Sequence, residues 1–229
     1  MKTSQTHTYK KNIGLKYHQK ILLNIIKQNY NKKDSGNILD IGCANGIFLK
    51  NFIKEFKNYN SIGIDTSSEM IDLAKKNKIE NLNFLKKDFM KYDKKFHFDI
   101  IIASGVLAFY GDYTKAIEKM LSLLKKDSYL YIFGTFNSAD IDTLIKFRNN
   151  YTNSSWEKGL NSFSVKSISK FLKKKKLKFY FKKFSLPFNL KKKDNPIISY
   201  TLNFSKKNRI ILNGANIRME LFYLIIKKR

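Results

Sequence analysis

The sequence predicts an α/β fold, a doubly wound and mostly parallel sheet with helices on both faces. Three observations predict it. A short apolar run (Ile38, Leu39, Ile41) ends in a turn holding Gly42 and Gly46, and an amphipathic helical pattern follows at Ile47, Phe48, Phe52, Ile53 and Phe56. Further apolar runs at 61–65, 82–85, 98–105 and 128–134 are separated by helical patterns at 68–77 and 113–125. Acidic residues recur near the ends of the first three runs: Asp40, Asp65 and Asp88. Strands that alternate with helices pair in parallel, and such sheets bind ligands at the carboxyl ends of their strands.

Each element carries a chemical expectation. A strand turning sharply into a helix, with glycines where a ligand approaches the backbone, builds a nucleotide pocket. Asp65, closing the second run, can accept both hydroxyl protons of a ribose. Asp88 can accept from an adenine amino group while Phe89 covers the ring. Structural roles compete with these: Asp40 could cap its turn, Asp65 could cap the helix after Thr66-Ser67-Ser68-Glu69, and Asp88 could be an ordinary loop carboxylate.

The series LDIGCANG, IGIDTSSEMIDLAKK, FLKKDF, FDIIIASGVLAFY and LLKKDSYLYIFGTF, over about residues 36–136, resembles the class I S-adenosylmethionine-dependent methyltransferases. A nicotinamide-dinucleotide domain would favour a middle glycine where this chain has Ala44. The resemblance implies a seven-stranded Rossmann-like sheet and S-adenosyl-L-methionine as cofactor, with S-adenosyl-L-homocysteine as product. It assigns Asp40, Gly42, Cys43, Asn45 and Gly46 to the methionine part, Asp65 and Thr66 to the ribose, Asp88 and Phe89 to the adenine, and Ser104 and Gly105 to the sulfonium end. No metal is expected, since no Cys/His spacing resembles a metal site.

The chain has 229 residues, 43% of them hydrophobic and 14% aromatic, which fits one globular domain. Four segments are expected within it: an N-terminal helical cap at 1–33, a cofactor core at 34–136, a lid insertion at 137–163, and 164–229 carrying a helix, the sixth and seventh strands and a hairpin insertion at 187–216. The single cysteine, Cys43, excludes an internal disulfide. No apolar leader or membrane span is read, so the cytoplasm is the expected compartment. The formal charge of +27 attracts anionic substrates and suggests nucleic acid. Of 45 basic residues, however, only Arg148, Arg209, Arg218 and Arg229 are arginine, the residue that reads phosphates with a fork. The interleaved stretch 177–184 fits either a nucleic-acid strand or a sheet strand alternating between core and solvent, and the second is preferred.

Outside the core, a helix is expected at 10–30 with Leu15, Leu22, Leu23, Ile25 and Ile26 inward. Tyr9, Tyr17 and His18 are candidates for the acceptor pocket, His18 also as general base. Tyr110, after the fourth strand, is a second catalytic candidate. Arg148, Trp156 and Asn161, with Tyr151 nearby, are substrate-binding candidates in the lid. A helix at 164–176, strands at 178–184 and 217–227, and a hairpin (197–204, a turn at 206–208, then 209–212) complete the reading. In layout this tail is similar to methyltransferases of bacterial surface-glycan gene clusters. The expected function is methyl transfer by in-line displacement to a small polar acceptor, such as a sugar or surface-glycan precursor. An RNA methyltransferase and a non-catalytic cofactor-binding partner subunit are the alternatives.

Overall fold

The first strand, β1 (Gly36–Ile41), is buried from Ile38 onward because it is flanked on both sides. It pairs in parallel with β2 (Tyr59–Asp65), placing Asp40 beside Gly63, and with β4 (Phe98–Ser104), placing Asp40 beside Ile102. β3 (Leu82–Lys86) extends β2 in parallel, with Gly63 opposite Phe84. A computed structural model describes residues 14–76, 79–93, 97–150, 154–193, 195–203, 205 and 209–229. Tyr9, Tyr151 and the turn at 206–208 lie outside these residues.

Two units divide the chain. The first comprises Met1–Ser104, Lys115–Ile132 and Ile225–Arg229; the second comprises Gly105–Thr114 and Phe133–Leu224. In the first, strand order runs β4-β1-β2-β3, with the early part of β5 (Leu124–Asn137) next to β4. Helix α1 (Tyr17–Lys27) buries Leu22, Leu23, Ile25 and Ile26. It is shorter than the predicted helix at 10–30. Residues 10–13 of that prediction lie outside the described residues; at Lys16 the backbone is extended and its N–H donates to Gln19 Oε1 at 2.9 Å, so the helix starts at Tyr17. Helix α2 (Ile47–Glu55) buries Phe48, Leu49, Phe52 and Ile53. Phe52 stacks on Phe56 at 4.5 Å between ring centres, and Tyr59 closes the cluster edge-on. Helix α3 (Ser68–Lys75) is capped by the Ser67 hydroxyl, which accepts from Met70 N–H. Helix α4 (Tyr113–Leu123) ends two residues earlier than its pattern suggested, because Leu124 already belongs to β5. Its last carbonyls are not orphaned: Lys228 Nζ donates to Leu121 O at 2.9 Å and Leu124 O at 2.6 Å.

The second unit orders its strands β10 (Ser199–Asn203), β11 (Arg209–Asn213), β12 (Arg218–Lys227) and the end of β5; β9 (Lys178–Phe184) also pairs with β12. β10 and β11 form the predicted hairpin, antiparallel with Tyr200 opposite Leu212. Lys178, Tyr180 and Lys182 are exposed while Phe179 and Phe181 are half-buried, so β9 alternates as a sheet strand does as far as Lys182; Phe181 packs edge-on against Phe136 and Phe222, and Phe184 against Phe133 and Tyr223. The segment after β5 forms a ribbon from β6 (Lys146–Phe147) and β7 (Glu157–Lys158), then β8 (Phe163–Ser164), which pairs in parallel with β5. Helix α5 (Val165–Lys174) follows, with the Ser164 hydroxyl accepting from Lys166 and Ser167 N–H.

Candidate active site

The turn between β1 and α2 is held from below by β2. Gly42 N–H and Cys43 N–H both donate to Ile64 O, at 2.8 and 3.1 Å. Three positions in five adopt left-handed backbone: Gly42 (φ 71°), Ala44 (φ 48°) and Gly46 (φ 71°). Such a conformation turns successive backbone groups toward one side and makes a concave edge suited to a ligand. Ala44 bears this strain with a β-carbon, and Asp65 braces it. The Asp65 carboxylate accepts from Ala44 N–H at 3.0 Å on one oxygen and from Ser67 N–H at 2.9 Å on the other.

This bracing is compatible with a second task. A carboxylate offers roughly four acceptor sites, and two are used here. Asp65 therefore keeps acceptor capacity on each oxygen for a vicinal diol. Asp88 caps the short 3-10 turn Phe89–Lys91, accepting from Met90 N–H at 3.0 Å; Phe89 itself is buried. Ser104 ends β4 and is half-buried, and Thr66 is exposed at the end of β2.

Asp40 is the anomaly of the first unit. It is 4% exposed, and its carboxylate accepts no hydrogen bond from a described residue. Burial first, and then the charge of Asp65, push its carboxyl up to about 8. A buried acid with no donor and another acid beside it is costly, and a cation placed against it removes that cost. The group fits a ligand bearing positive charge, as the sulfonium and ammonium of S-adenosylmethionine do. Cys43 lies in the same turn, buried, and burial together with Asp40 and Asp65 raises its thiol well above the usual range, so it is not nucleophilic.

Phe84 was not singled out from sequence, yet it organises the turn. A methyl group built on Gly46 would overlap its ring, and one built on Gly63 would come within 2.6 Å of the ring and 2.9 Å of Cys43 Sγ. The glycines thus admit an aromatic side chain from β3 as well as opening an edge for a ligand. The signal lay in the β2–β3 register, which composition does not reveal.

In the second unit the predicted residues fall into two groups. Asn161 is buried and ties three segments together: its N–H donates to Ala108 O at 2.9 Å, Nδ2 donates to Tyr110 O at 3.0 Å, and Oδ1 accepts from Ile145 N–H at 2.8 Å. Thr135 Oγ1 donates to its carbonyl at 2.6 Å. Asn161 therefore fixes the main chain at Tyr110. Trp156, by contrast, is 66% exposed, with the Arg148 guanidinium 5.7 Å from its ring centre. Gly105 (φ 73°) donates to Phe133 O at 2.7 Å.

A cavity of about 350 Å³ opens at the carboxyl end of β5, with Phe136, Ser138, Ile145, Arg218 and Glu220 in its walls. Burial opposes ionisation of Glu220. Hydrogen bonds from the Ser138 hydroxyl and N–H, and the Lys183 ammonium, outweigh burial and hold its carboxyl below the usual range. In the first unit His18 is driven down to about 3 by burial and by Lys16, so its imidazole is neutral. Among the described residues no group of His, Cys, Asp and Glu could hold a metal ion, and no helix is long and apolar enough to cross a membrane.

A parallel sheet with a glycine turn after β1 and carboxylates at the ends of successive strands is the arrangement of the Rossmann-like class, whose members bind ligands at the carboxyl ends of the strands. Residues 32–198 match the family described as "Methyltransferase domain", and the chain belongs to that family. It is 34% identical over 115 residues to a protein of Ilyobacter polytropus named malonyl-[acyl-carrier protein] O-methyltransferase 2, covering 49% of this chain and 42% of the relative. It is 32% identical over 133 residues to a carboxy-S-adenosyl-L-methionine synthase of Nautilia profundicola, covering 52% of this chain and 49% of the relative. The chain thus spans less than half the length of these curated relatives. Among solved structures, YcgJ from Bacillus subtilis aligns with a TM-score of 0.60 at 13% identity, over 93% of this chain and 99% of that one. The plantazolicin methyltransferase BpumL in complex with SAH and a desmethylPZN analog aligns at 0.58 and 16% identity, over 93% and 84%. At such identities the likeness shows the fold.

Proposed function

We propose that this chain is an S-adenosylmethionine-dependent methyltransferase acting on a small polar acceptor. The observation that carries the reading is the buried Asp40, to which no described residue donates, beside a glycine turn braced by Asp65. In this reading Asp40 and the 42–46 turn, with Cys43 and Asn45, hold the methionine end. Asp65 and Thr66 hold the ribose, Asp88 and Phe89 the adenine, and Ser104 and Gly105 the sulfonium end. The bound cofactor supplies an activated methyl group, transferred in line to an acceptor lone pair as the carbon–sulfur bond breaks. The chain's task is then orientation and exclusion of water, and positioning alone can lower a barrier by ~7–11 kcal/mol.

A sugar hydroxyl of a surface-glycan precursor is the first acceptor considered, and it must lose a proton. His18, with its pKa lowered to about 3 by burial and by Lys16, is a weak acceptor for it. That observation favours a second reading, an acceptor already ionised. A carboxylate needs no base, and the Ilyobacter relative's name describes O-methylation of a malonyl group. The relatives do not agree on one reaction, so the acceptor class is a matter for assay.

Calorimetry with S-adenosylhomocysteine tests the cofactor reading: a folded protein that does not bind it overturns the proposal. Asp65→Ala should weaken binding by ~1–3 kcal/mol, the scale of a charge-assisted hydrogen bond; unchanged affinity refutes the ribose role. Label from methyl-labelled S-adenosylmethionine should reach a malonyl thioester or a nucleotide sugar, and the product distinguishes the two acceptors.

A further inference from the structure

The ribbon after β5 has two unlike faces. Along residues 144–148 exposure alternates residue by residue: Leu144, Lys146 and Arg148 are exposed, while Ile145 and Phe147 are half-buried. Ile145 lines the cavity in the same unit. The pairing of Lys146 with Lys158 carries the outward face across to β7, and the Arg148–Trp156 contact shows that it continues to Trp156. Leu144 and Trp156 are each 66% exposed, and Ile141, whose carbonyl accepts from Asn137 Nδ2, is 60% exposed. The acids of the ribbon are Glu157, opposite Phe147, and Asp140 and Asp142, which flank Ile141; Asp140 pairs with Lys166 at 2.8 Å and Asp142 accepts from Ser164 N–H at 2.6 Å.

An indole and a branched aliphatic left in water, beside Lys146, Arg148 and Lys158, combine apolar surface with positive charge. We propose that this face docks on an anionic lipid surface, with Trp156 and Leu144 entering the headgroup boundary and the three cations meeting lipid phosphates. Aromatic amphipathic side chains settle at that depth, and each cation adds attraction to an anionic leaflet. Nucleic acid, the other polyanion, is the weaker match. Its bases reward flat rings and guanidinium planes, whereas Leu144 gains nothing by stacking. Docking of this kind requires no membrane-crossing helix.

Trp156 is the only tryptophan of the chain, so emission excited at the red edge of the indole band, where tyrosine does not absorb, reports this face alone. Vesicles containing phosphatidylglycerol should shift the emission of the full chain to shorter wavelength, and pure phosphatidylcholine vesicles should not. Lys146→Gln and Lys158→Gln, both on exposed positions, should each lower vesicle affinity about fivefold. Leu144→Asn should abolish the shift while the far-ultraviolet spectrum and S-adenosylhomocysteine binding stay as in the parent. Vesicle co-sedimentation without an emission shift would mean that the +27 charge binds lipid elsewhere, and would overturn the proposal. So would emission unmoved by any vesicle, or quenched by single-stranded poly(U) alone.

Discussion

The two units treat the same kind of residue in opposite ways. In the first, strands β1, β2 and β4 are shut in by helices and neighbouring strands, and their apolar side chains are buried nearly without exception. All six large apolar residues that stand exposed among the described residues, Ile141, Leu144, Trp156, Tyr180, Phe188 and Leu202, belong to the second. The first unit spends its irregularity on polar groups instead: a left-handed turn and a buried Asp40 to which no described residue donates. One region is closed in packing and keeps its irregularity inside; the other leaves apolar side chains and cations together at its surface. The first kind of irregularity suits a small ligand and the second a larger partner, which is the ground of the two proposals above.

The contrast can be broken by mutation, and the largest effect is expected at Phe84. Phe84→Ala should cost ~3–5 kcal/mol in urea unfolding, because the ring fills the space left by Gly46 and Gly63. It should weaken S-adenosylhomocysteine binding as well, since the turn loses its support. Next comes Asp40→Asn. A carboxyl held near 8 when folded, against about 4 in an unfolded chain, contributes stability that is present at acid pH and is lost as pH rises through 8. The Asn variant should therefore match the parent near pH 4 and exceed it by on the order of a few kcal/mol above pH 8, as thermal unfolding across pH would show. The same substitution should remove the pH dependence of cofactor binding. In the parent, affinity for a cationic ligand should climb toward pH 8 and then level.

Smaller effects sharpen the second half of the comparison. Asn161→Ala leaves Tyr110 O and Ile145 N–H without their partner and should cost ~1–3 kcal/mol. Amide hydrogen exchange should quicken at 106–111 and 143–147, while cofactor affinity is retained; loss of that affinity would tie Asn161 to the cradle instead. Lys228→Met removes two donors from the end of α4 and should cost about 1–2 kcal/mol by chemical denaturation.

How much of this was legible in advance varies with distance along the chain. The span of β9 and the hairpin were readable because period-2 patterns and turn residues are local. The carboxylates at Asp40, Asp65 and Asp88 stood out because they close consecutive strands of a parallel sheet. The start of α1 was overestimated: its apolar pattern runs upstream of Lys16, but the extended backbone at Lys16 and its hydrogen bond to Gln19 decide where the described helix begins. Trp156 and Asn161 looked alike as candidates in one insertion. In the fold one is exposed and the other is held by four hydrogen bonds.

By itself the order of apolar runs, glycines and acids determined the fold class, and the family resemblance those motifs carry implied the cofactor, since each motif is made of residues near one another in sequence. Only the tertiary structure decided that Phe84 fills the glycine turn, that Asp65 braces Ala44, and that no described residue donates to Asp40. Those facts depend on register between strands and on burial, and both are set by packing of residues far apart in the chain.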